Sequence, residues 1–395
     1  MKIGSTLYFD HQATTPTDER VLAAMRPYYD ERFGNPHSAD HALGWEAARA
    51  TEAAASKIAM MLGADADEIV FTSGATESNN LALIGAAYAA KNGSRDRILV
   101  SATEHKSILA LTRFLREQLD YKIEILPANW EGKVDVEYFK KKIDDDVLIV
   151  STIYVNNEIG SINSINEIGD ICRSNGVLFH CDGAQSPIAL DLKDIATSVD
   201  LFSLSGHKMY GPKGIGALFA HRDIQDRITP IIHGGGQQGQ LRSGTLPTPL
   251  CVGMGAAADI ISNGSMEDER LELRSLRDLF VRSLQQLNWP IFLNGPSLAD
   301  RHPGNANIRF EGFSAHDILA ALQPKLAAST GSACTTGIPE PSHVLTAIGL
   351  SQDQAEASVR FSIGRQTQEE HVDEAVALIK TVLERLSGAG LSEAV

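Results

Sequence analysis

Lys208 occupies a position in which a lysine amine could act as a nucleophile. It ends the segment 205–208 (SGHK), which follows the apolar run 200–204 and precedes a turn rich in Gly and Pro. This pattern predicts a short connection between two buried strands. The ordinary lysine pKa of about 10.4 must fall before the amine can attack a carbonyl, and burial of the amine would lower it. A buried lysine here could therefore form a Schiff base with an aldehyde cofactor. A solvated lysine in a glycine loop is the alternative interpretation.

Two further polar residues lie where apolar runs end. Asp182 follows the run 177–181, and a carboxylate there could keep a pyridine nitrogen protonated, because a nearby opposite charge favours the charged form. An Asx turn at a strand end is the competing interpretation. His105, at another strand-to-helix junction, could cap a helix, or it could stack on a cofactor ring and relay protons.

The segment 71–80 (FTSGATESNN) reads as a strand, a turn of small residues and a helix start. Small side chains would let an anion reach the backbone N–H groups of the helix N-terminus, with the hydroxyls of Ser73 and Thr76 as further donors. Ordinary capping of the helix by those hydroxyls is the alternative. Neither a GxxxxGK[ST] nor a GxGxxG pattern supports a nucleotide-binding loop.

Cys334 lies in a run of small and polar residues at 329–341, which predicts an exposed loop. A thiol with an ordinary pKa of about 8.5 is mostly protonated at neutral pH, so attack by Cys334 requires local stabilisation or a proton acceptor such as His105. Cys172 and Cys251 lie in apolar, helix-like settings and are predicted core residues. Cys181 is expected to point away from the face that Asp182 occupies.

Seven short apolar runs, separated mostly by helical segments, must position these residues. The runs are 68–72, 97–101, 122–126, 147–152, 177–181, 200–204 and 216–220. This alternation predicts an α/β fold with a mainly parallel seven-stranded sheet covered by helices, and polar groups at the strand ends. From about residue 260 the pattern changes, which predicts a large domain at 15–260 and a smaller α+β domain built from 1–14 and 261–395.

The composition restricts the class of protein. The chain of 395 residues carries a net charge of −15, which disfavours direct binding to nucleic acid or anionic lipid. No apolar segment has the length of a signal peptide or a membrane span, so a cytoplasmic enzyme is expected. The four cysteines form no CxxC pair, which argues against a disulfide scaffold or a structural zinc site.

Seven motifs occur together and in order, and together they resemble the cysteine desulfurases of the NifS/IscS type. These enzymes form part of the class-V aminotransferase group of fold-type-I pyridoxal phosphate enzymes. The resemblance extends over about residues 7–365. The motifs are FTSGATES (71–78), TEHK (103–106), NNEIG (156–160), HCDGAQ (180–185), SGHK (205–208), RSGT (242–245) and GSAC (331–334).

The resemblance implies a role for each candidate residue. Lys208 carries the Schiff base to pyridoxal 5′-phosphate, Asp182 faces its pyridine nitrogen and His105 stacks on its ring. Gln185 and Asn157 lie near the phenolic oxygen, and the phosphate contacts are Ala75, Thr76, Ser205, His207 and, from the other subunit of a homodimer, Thr245. Arg360, helped by Asn35 and Asn157, binds the substrate carboxylate, and Cys334 accepts the sulfur.

The implied reaction converts L-cysteine to L-alanine and leaves a persulfide on Cys334 for an acceptor protein. That acceptor would serve iron–sulfur cluster assembly, tRNA thiolation or DNA phosphorothioation. No metal site is expected beyond transient ligation of an iron–sulfur cluster by Cys334. A selenocysteine lyase, an aminotransferase of the same fold and a cofactor-holding platform that binds partners are the alternatives.

The chain departs from the resemblance in three places. Many relatives have a threonine in the segment 182–185, where this chain reads DGAQ, and a charged residue in 237–240, where it reads QQGQ. The sequence also stops at Val395, soon after its last predicted helix. We therefore expect it to lack the longer tail that some relatives use to dock a scaffold protein.

Overall fold

A computed structural model describes residues 1–91, 93–264, 266–331 and 341–392. The helices are α1 (Glu19–Met25), α2 (Pro27–Asp30), α3 (Ala42–Leu62), α4 (Ala75–Ala89), α5 (Lys106–Leu119), α6 (Val136–Lys140), α7 (Ile165–Ser174), α8 (Ser186–Ala189), α9 (Thr248–Asn263), α10 (Met266–Gln285), α11 (Ala315–Leu322), α12 (His343–Ala347), α13 (Gln352–Glu356) and α14 (Glu369–Ser392). The strands are β1 (Lys2–Ile3), β2 (Thr6–Tyr8), β3 (Ile69–Thr72), β4 (Arg97–Ser101), β5 (Lys122–Leu126), β6 (Val147–Ile153), β7 (Leu178–Asp182), β8 (Leu201–Ser205), β9 (Gly216–Ala220), β10 (Ile291–Leu293), β11 (Asn305–Phe310), β12 (Leu326–Ala327) and β13 (Ser358–Ser362).

A seven-stranded sheet forms the centre of the molecule, with strand order β3-β9-β8-β7-β6-β4-β5. Neighbouring strands are parallel from β8 to β5, whereas β9 runs antiparallel to both β3 and β8. The predicted mainly parallel α/β sheet is therefore confirmed. The seven predicted strands lie within one residue of their observed bounds, because each is an apolar run that ends at a turn.

The central strands are buried on both faces. Every residue of β6, β7 and β8 is buried, as expected for a parallel sheet covered by helices on both sides. His180 of β7 is a polar residue among these buried positions. Its Nδ1 lies 2.9 Å from Ser151 Oγ of β6, and its Nε2 lies 3.0 Å from Ser203 Oγ of β8. A buried imidazole thus hydrogen-bonds to both neighbouring strands.

Two long helices, α3 and α9, pack closely against each other. Helix α3 is capped at its N-terminus by His41, whose side chain accepts from Gly44 N, and at its C-terminus by Gly63 in the left-handed conformation (φ 71°). Helix α9 packs against it through small residues: a Cβ on Gly255 would lie 2.6 Å from Ala54 Cα. From the sequence, only the surroundings of Cys251 were recognised as helix-like, because the Gly- and Ala-rich sequence of α9 has little amphipathic contrast to mark its bounds.

Two three-stranded sheets, β1-β2-β12 and β10-β11-β13, contain the remaining strands. Strand β2 pairs in parallel with β12, so the first residues of the chain join a segment more than 300 positions later. The division into domains at 15–260 and at 1–14 with 261–395 stays a prediction. Phe280 packs between Phe9 and Phe361 at ring-centroid distances of 5.4 Å and 5.1 Å. No helix within the described ranges is long and apolar enough to cross a membrane.

Candidate active site

A cavity of about 550 Å³ opens beyond the carboxyl ends of the parallel strands. The segments that follow β3, β4, β6, β7 and β8 all reach it, as expected for an open α/β sheet. Ten residues predicted from the sequence line it: Ala75, Thr76, His105, Asn157, Asp182, Gln185, Ser205, His207, Lys208 and Arg360. The fold thus brings together most of the residues that the motifs singled out.

Three predicted site residues are not in this group. Asn35 and Thr245 are exposed on the surface and do not line the cavity of their own chain. Cys334 lies outside the described residues, so its role as sulfur acceptor stays a prediction. The loop predicted at 329–341 is described only at its two ends.

Lys208 lies in a single 3-10 turn, Gly206–Lys208, directly after β8. Its Nζ donates to the carbonyl oxygens of Gln12, at 2.5 Å, and Ala13, at 2.8 Å. The Gln12 carbonyl also accepts from Gln185 Nε2 at 2.9 Å. The segment after β2 therefore orients the amine. This segment could not be identified from the sequence, because no local pattern relates it to Lys208.

Asp182 ends β7 and is buried. One carboxylate oxygen accepts from the backbone N–H of Ala184 at 3.0 Å, and the other accepts from Asn79 Nδ2 at 2.8 Å. The backbone contact is the Asx arrangement expected of an aspartate at a strand end. The contact with Asn79 goes further, because it fixes the carboxylate from α4 as well.

The same Asn79 amide continues the network to His105. Asn79 Nδ2 donates to Ser107 Oγ at 2.9 Å, and Ser107 Oγ lies 2.8 Å from His105 Nδ1. His105 Nδ1 also accepts from the backbone N–H of Ser107 at 3.1 Å. Since a backbone N–H can only donate, the neutral imidazole carries its hydrogen on Nε2. His105 both caps α5 and lines the cavity, so its two proposed roles are compatible.

Burial lowers the pKa of His105, an effect that Asp182 opposes and Lys208 reinforces. A neutral imidazole with its hydrogen on Nε2 is therefore expected at neutral pH. His207 behaves similarly: burial and the adjacent Lys208 lower its pKa to about 4. Its Nδ1 lies 3.1 Å from Thr14 Oγ1, again in the segment after β2.

The start of α4 has no side-chain cap. Its N-cap is Gly74 (φ 153°, ψ 175°), in a conformation that favours glycine. A Cβ on Gly74 would meet no atom within 4 Å. Capping by Ser73 or Thr76, the alternative raised by the sequence, is thus not what the structure shows. The N–H groups of the first turn can serve a ligand instead.

Arg360 of β13 enters the cavity from the smaller sheets. Its Nη1 donates to the Asn157 carbonyl at 2.9 Å, and its Nη2 donates to Asp10 Oδ1 at 2.7 Å and Ser329 Oγ at 2.9 Å. Asp10 and Ser329 were not predicted. A substrate carboxylate on Arg360 would approach a guanidinium that a carboxylate already orients.

Two buried carboxyl groups lie beside these residues. Burial and the nearby Asp182 raise the pKa of Glu104 well above its usual value. Burial also raises the pKa of Glu158, whose Oε2 accepts from Ser342 Oγ at 2.5 Å. Burial and the neighbouring carboxylate thus both favour the protonated form of Glu104, which adds no further negative charge to this part of the site.

Comparisons with known proteins agree with this arrangement. Residues 7–375 match the aminotransferase class-V family. Cysteine desulfurase IscS of Rickettsia massiliae is 46% identical over 387 residues, covering 98% of this chain and 93% of that protein. IscS of Rickettsia typhi is 47% identical over 96% of this chain and 92% of that protein.

Among solved structures, a NifS-like protein superposes with a TM-score of 0.89 at 32% identity, covering 96% of this chain and 99% of that chain. "SspA in complex with cysteine" superposes with a TM-score of 0.80 at 35% identity, covering 91% and 99%.

Proposed function

The chain belongs to the class-V aminotransferase family and to its cysteine desulfurase branch, and from that premise we propose that it removes sulfur from L-cysteine with pyridoxal 5′-phosphate as cofactor. One observation carries the proposal. A single cavity contains a lysine after β8, a buried aspartate at the end of β7 and an uncapped helix N-terminus after β3. These are an amine, a carboxylate and an anion site, which match the aldehyde, the ring nitrogen and the phosphate of the cofactor.

The residues present fit this cofactor. Lys208 would hold its aldehyde carbon, Asp182 its ring nitrogen and His105 its ring face. The first turn of α4 would hold the phosphate through Ala75 and Thr76, with Ser205 and His207 beside it. Gln185 and Asn157 would lie near the phenolic oxygen. When bound, the cofactor supplies an electron sink for a carbanion at the substrate α-carbon.

The protein's own residues then handle the proton and orient the substrate. We assign removal and return of the α-proton to Lys208, whose amine is oriented by the carbonyls of Gln12 and Ala13. Arg360 binds the substrate carboxylate, with Asn157 and Asn35 as further candidates. His105 presents an Nε2–H to the cavity, so in this tautomer the neutral ring is suited to donate a hydrogen bond there.

Cys334 is the proposed sulfur acceptor. Its thiolate attacks the substrate sulfur, forming an S–S bond while the Cβ–S bond of the substrate breaks. The electron pair of the broken bond stays with the three-carbon skeleton, which takes up a proton and leaves as L-alanine. The outer sulfur of the persulfide is then passed to an acceptor protein, which leaves the Cys334 thiol ready for another cycle. Iron–sulfur cluster assembly, tRNA thiolation and DNA phosphorothioation are the candidate pathways.

Substitution of Cys334 tests the function directly. We expect Cys334→Ser to retain the cofactor and to bind L-cysteine, because neither step uses the thiol, while sulfide and alanine production collapse. Mass spectrometry of the wild type after exposure to L-cysteine should find one added sulfur on the Cys334 peptide, removable by a reductant. The described cysteines, Cys172, Cys181 and Cys251, are buried and serve as internal controls. Near wild-type alanine production by Cys334→Ser would instead indicate a lyase without an acceptor thiol.

A homodimer is part of the proposal. Several large apolar side chains are exposed on the first three helices and the segment between them: Leu22, Tyr29, Phe33, Leu43 and Trp45. Such an apolar region is typical of a surface that a second subunit covers. Thr245 is also exposed and lies outside its own cavity, so it is available to the cavity of a second copy.

A further inference from the structure

A carboxylate lies in the turn proposed to bind the cofactor phosphate. Glu77 is in the first turn of α4 and lines the cavity, with about 10% of its side chain exposed. Its Oε2 accepts from the backbone N–H of Ser73 at 2.8 Å, which closes the turn 73–77. An unpaired negative charge at this position would repel a phosphate dianion. The turn therefore requires a means of cancelling that charge.

Arg242 supplies the opposing charge. Its Nε lies 2.8 Å from Glu77 Oε1, and its Nη2 lies 3.4 Å from Glu77 Oε2. Both side chains are largely buried, so solvent screens the pair less than a surface ion pair. Burial opposes ionisation of Glu77, but hydrogen bonds from Arg242 and Ser73 outweigh it and leave the pKa of Glu77 below its usual value. The carboxylate is charged and paired at neutral pH.

The segment that carries Arg242 is attached to the strand that precedes the same turn. Gln238 pairs with the backbone of Phe71 in the edge strand β3: its Oε1 accepts from Phe71 N at 2.6 Å, and its Nε2 donates to Phe71 O at 3.0 Å. Gln237 Oε1 accepts from Gly244 N at 2.8 Å. The glutamine-rich segment 237–240 thus fastens Arg242 beside the start of α4.

We propose that Arg242 is a positioning residue for the cofactor phosphate, acting through Glu77. The ion pair cancels the negative charge of Glu77 while leaving its hydrogen bond to Ser73 in place, so that the turn 73–77 keeps its shape and accepts an anion. Gln238 fixes the position of the segment that carries Arg242 relative to β3. This inference rests on the proposed function, since it takes the phosphate of pyridoxal phosphate as the ligand of the turn.

Charge-neutralising substitutions in the 395-residue chain test the proposal. Arg242→Gln leaves Glu77 unpaired and is expected to weaken binding of pyridoxal phosphate about tenfold or more. Adding Glu77→Gln removes the stranded charge and should restore most of that affinity. Arg242→Lys, which retains a cation, should lie close to the wild type. The readout is the dissociation constant from absorbance titration, measured in parallel for pyridoxal, which lacks the phosphate and should respond little.

Two further variants sharpen the test. Gln238→Glu is nearly isosteric but places a carboxylate against the Phe71 carbonyl, so it should weaken pyridoxal phosphate binding in the same direction. Arg222→Gln removes an exposed arginine that pairs with Asp67 and should have no effect. If the double variant binds no better than Arg242→Gln, or if pyridoxal is affected equally, the proposal is wrong. If the wild type itself takes up no pyridoxal phosphate, the proposed function fails first, which is a distinct result.

Discussion

Asp182 and His105 share an intermediary that neither motif reveals. Asn79 donates to the Asp182 carboxylate and to Ser107, and Ser107 in turn contacts the His105 ring. The residue proposed for the ring nitrogen and the residue proposed for the ring face are therefore oriented by one amide. A substitution at Asn79 should alter both without touching the cofactor directly.

We expect Asn79→Asp to lower kcat about tenfold or more while leaving the chain folded. The new carboxylate would lie against Asp182, and two carboxylates at hydrogen-bond distance cannot both stay ionised, so one proton is shared at neutral pH. Steady-state kinetics with L-cysteine should be measured from about pH 6 to about pH 9. The decrease in kcat should become smaller at higher pH, where both carboxyl groups of the pair ionise.

Asn263→Asp is the matched control for this prediction. Asn263 Nδ2 donates to Asp259 Oδ1 at 2.6 Å on the exposed surface of α9, so the same chemical change occurs there in solvent. Its kinetics should match the wild type. Equal activity of Asn79→Asp and the wild type would show that the amide is not needed to orient Asp182.

At the scale of the elements, the contact between β8 and the residue after β7 explains the glycine at 183. A Cβ on Gly183, directly after β7, would lie 2.0 Å from Phe202 Cζ of β8. The ring of Phe202 therefore occupies the space that a side chain at 183 would need. The phenylalanine at 202 therefore requires a glycine at 183.

Gly183→Ala should lower the free energy of unfolding by about 1–3 kcal/mol, because the added methyl group overpacks the sheet. Phe202→Leu in the same chain should recover part of that loss, and urea unfolding of both variants measures it. Gly388→Ala serves as the control, since a Cβ there meets no atom within 4 Å. Additive effects of the two substitutions would contradict the coupling.

The imidazole between β6 and β8 makes a contribution to stability that depends on pH. Burial lowers the pKa of His180 to about 4, against an ordinary value of about 6.5 in the unfolded chain. Above pH 6.5 or so both states are neutral and the contribution is complete. As the pH falls below that value, the unfolded state binds the proton first, so stability is lost down to about pH 4.

His180→Gln removes this titration. Wild type and variant should differ most in free energy of unfolding near pH 7, and the difference should shrink by up to about 2 kcal/mol at pH 5. Urea unfolding at both pH values, at one fixed cofactor concentration, provides the comparison. A difference that is constant with pH would mean that His180 titrates alike in the folded and unfolded states.

At the scale of the whole molecule, the exposed apolar side chains and the position of Thr245 predict a dimer with shared sites. Lys208→Ala and Thr245→Ala chains should each be weakly active or inactive alone. After unfolding and refolding together in equal amounts, about a quarter of all sites should combine an intact Lys208 with an intact Thr245 from the other subunit. Activity should return to about that fraction of the wild type.

The control for this mixing experiment is a chain that carries both substitutions. Refolded with Thr245→Ala chains, it can form no intact site and should restore nothing. A fully active monomer in sedimentation, or restoration no greater than the sum of the separate chains, would contradict the shared site.

The sequence predicted the large sheet and much of the cavity, because both depend on local patterns. The strands are short apolar runs ending in polar residues, so the runs before Asp182 and Lys208 could be identified one by one. Residues that act through distant partners could not be found this way. Gln12 lies 196 positions from Lys208, and Gln238 lies 167 positions from Phe71, with no periodicity to connect them. Asn79 was within a recognised motif, but a buried asparagine gives no sign of its partners.

The long separation between Lys208 and its carbonyl partners also bears on the order of events at the ribosome. The segment at Gln12 is made first, whereas Lys208 follows 196 residues later and Arg360 follows Asp10 by 350 residues. At bacterial to eukaryotic elongation rates, these intervals are about 10–40 s and about 20–70 s. A nascent chain therefore cannot present a complete site to the cofactor until nearly all of it has emerged, and loading is confined to the last moments of synthesis or later.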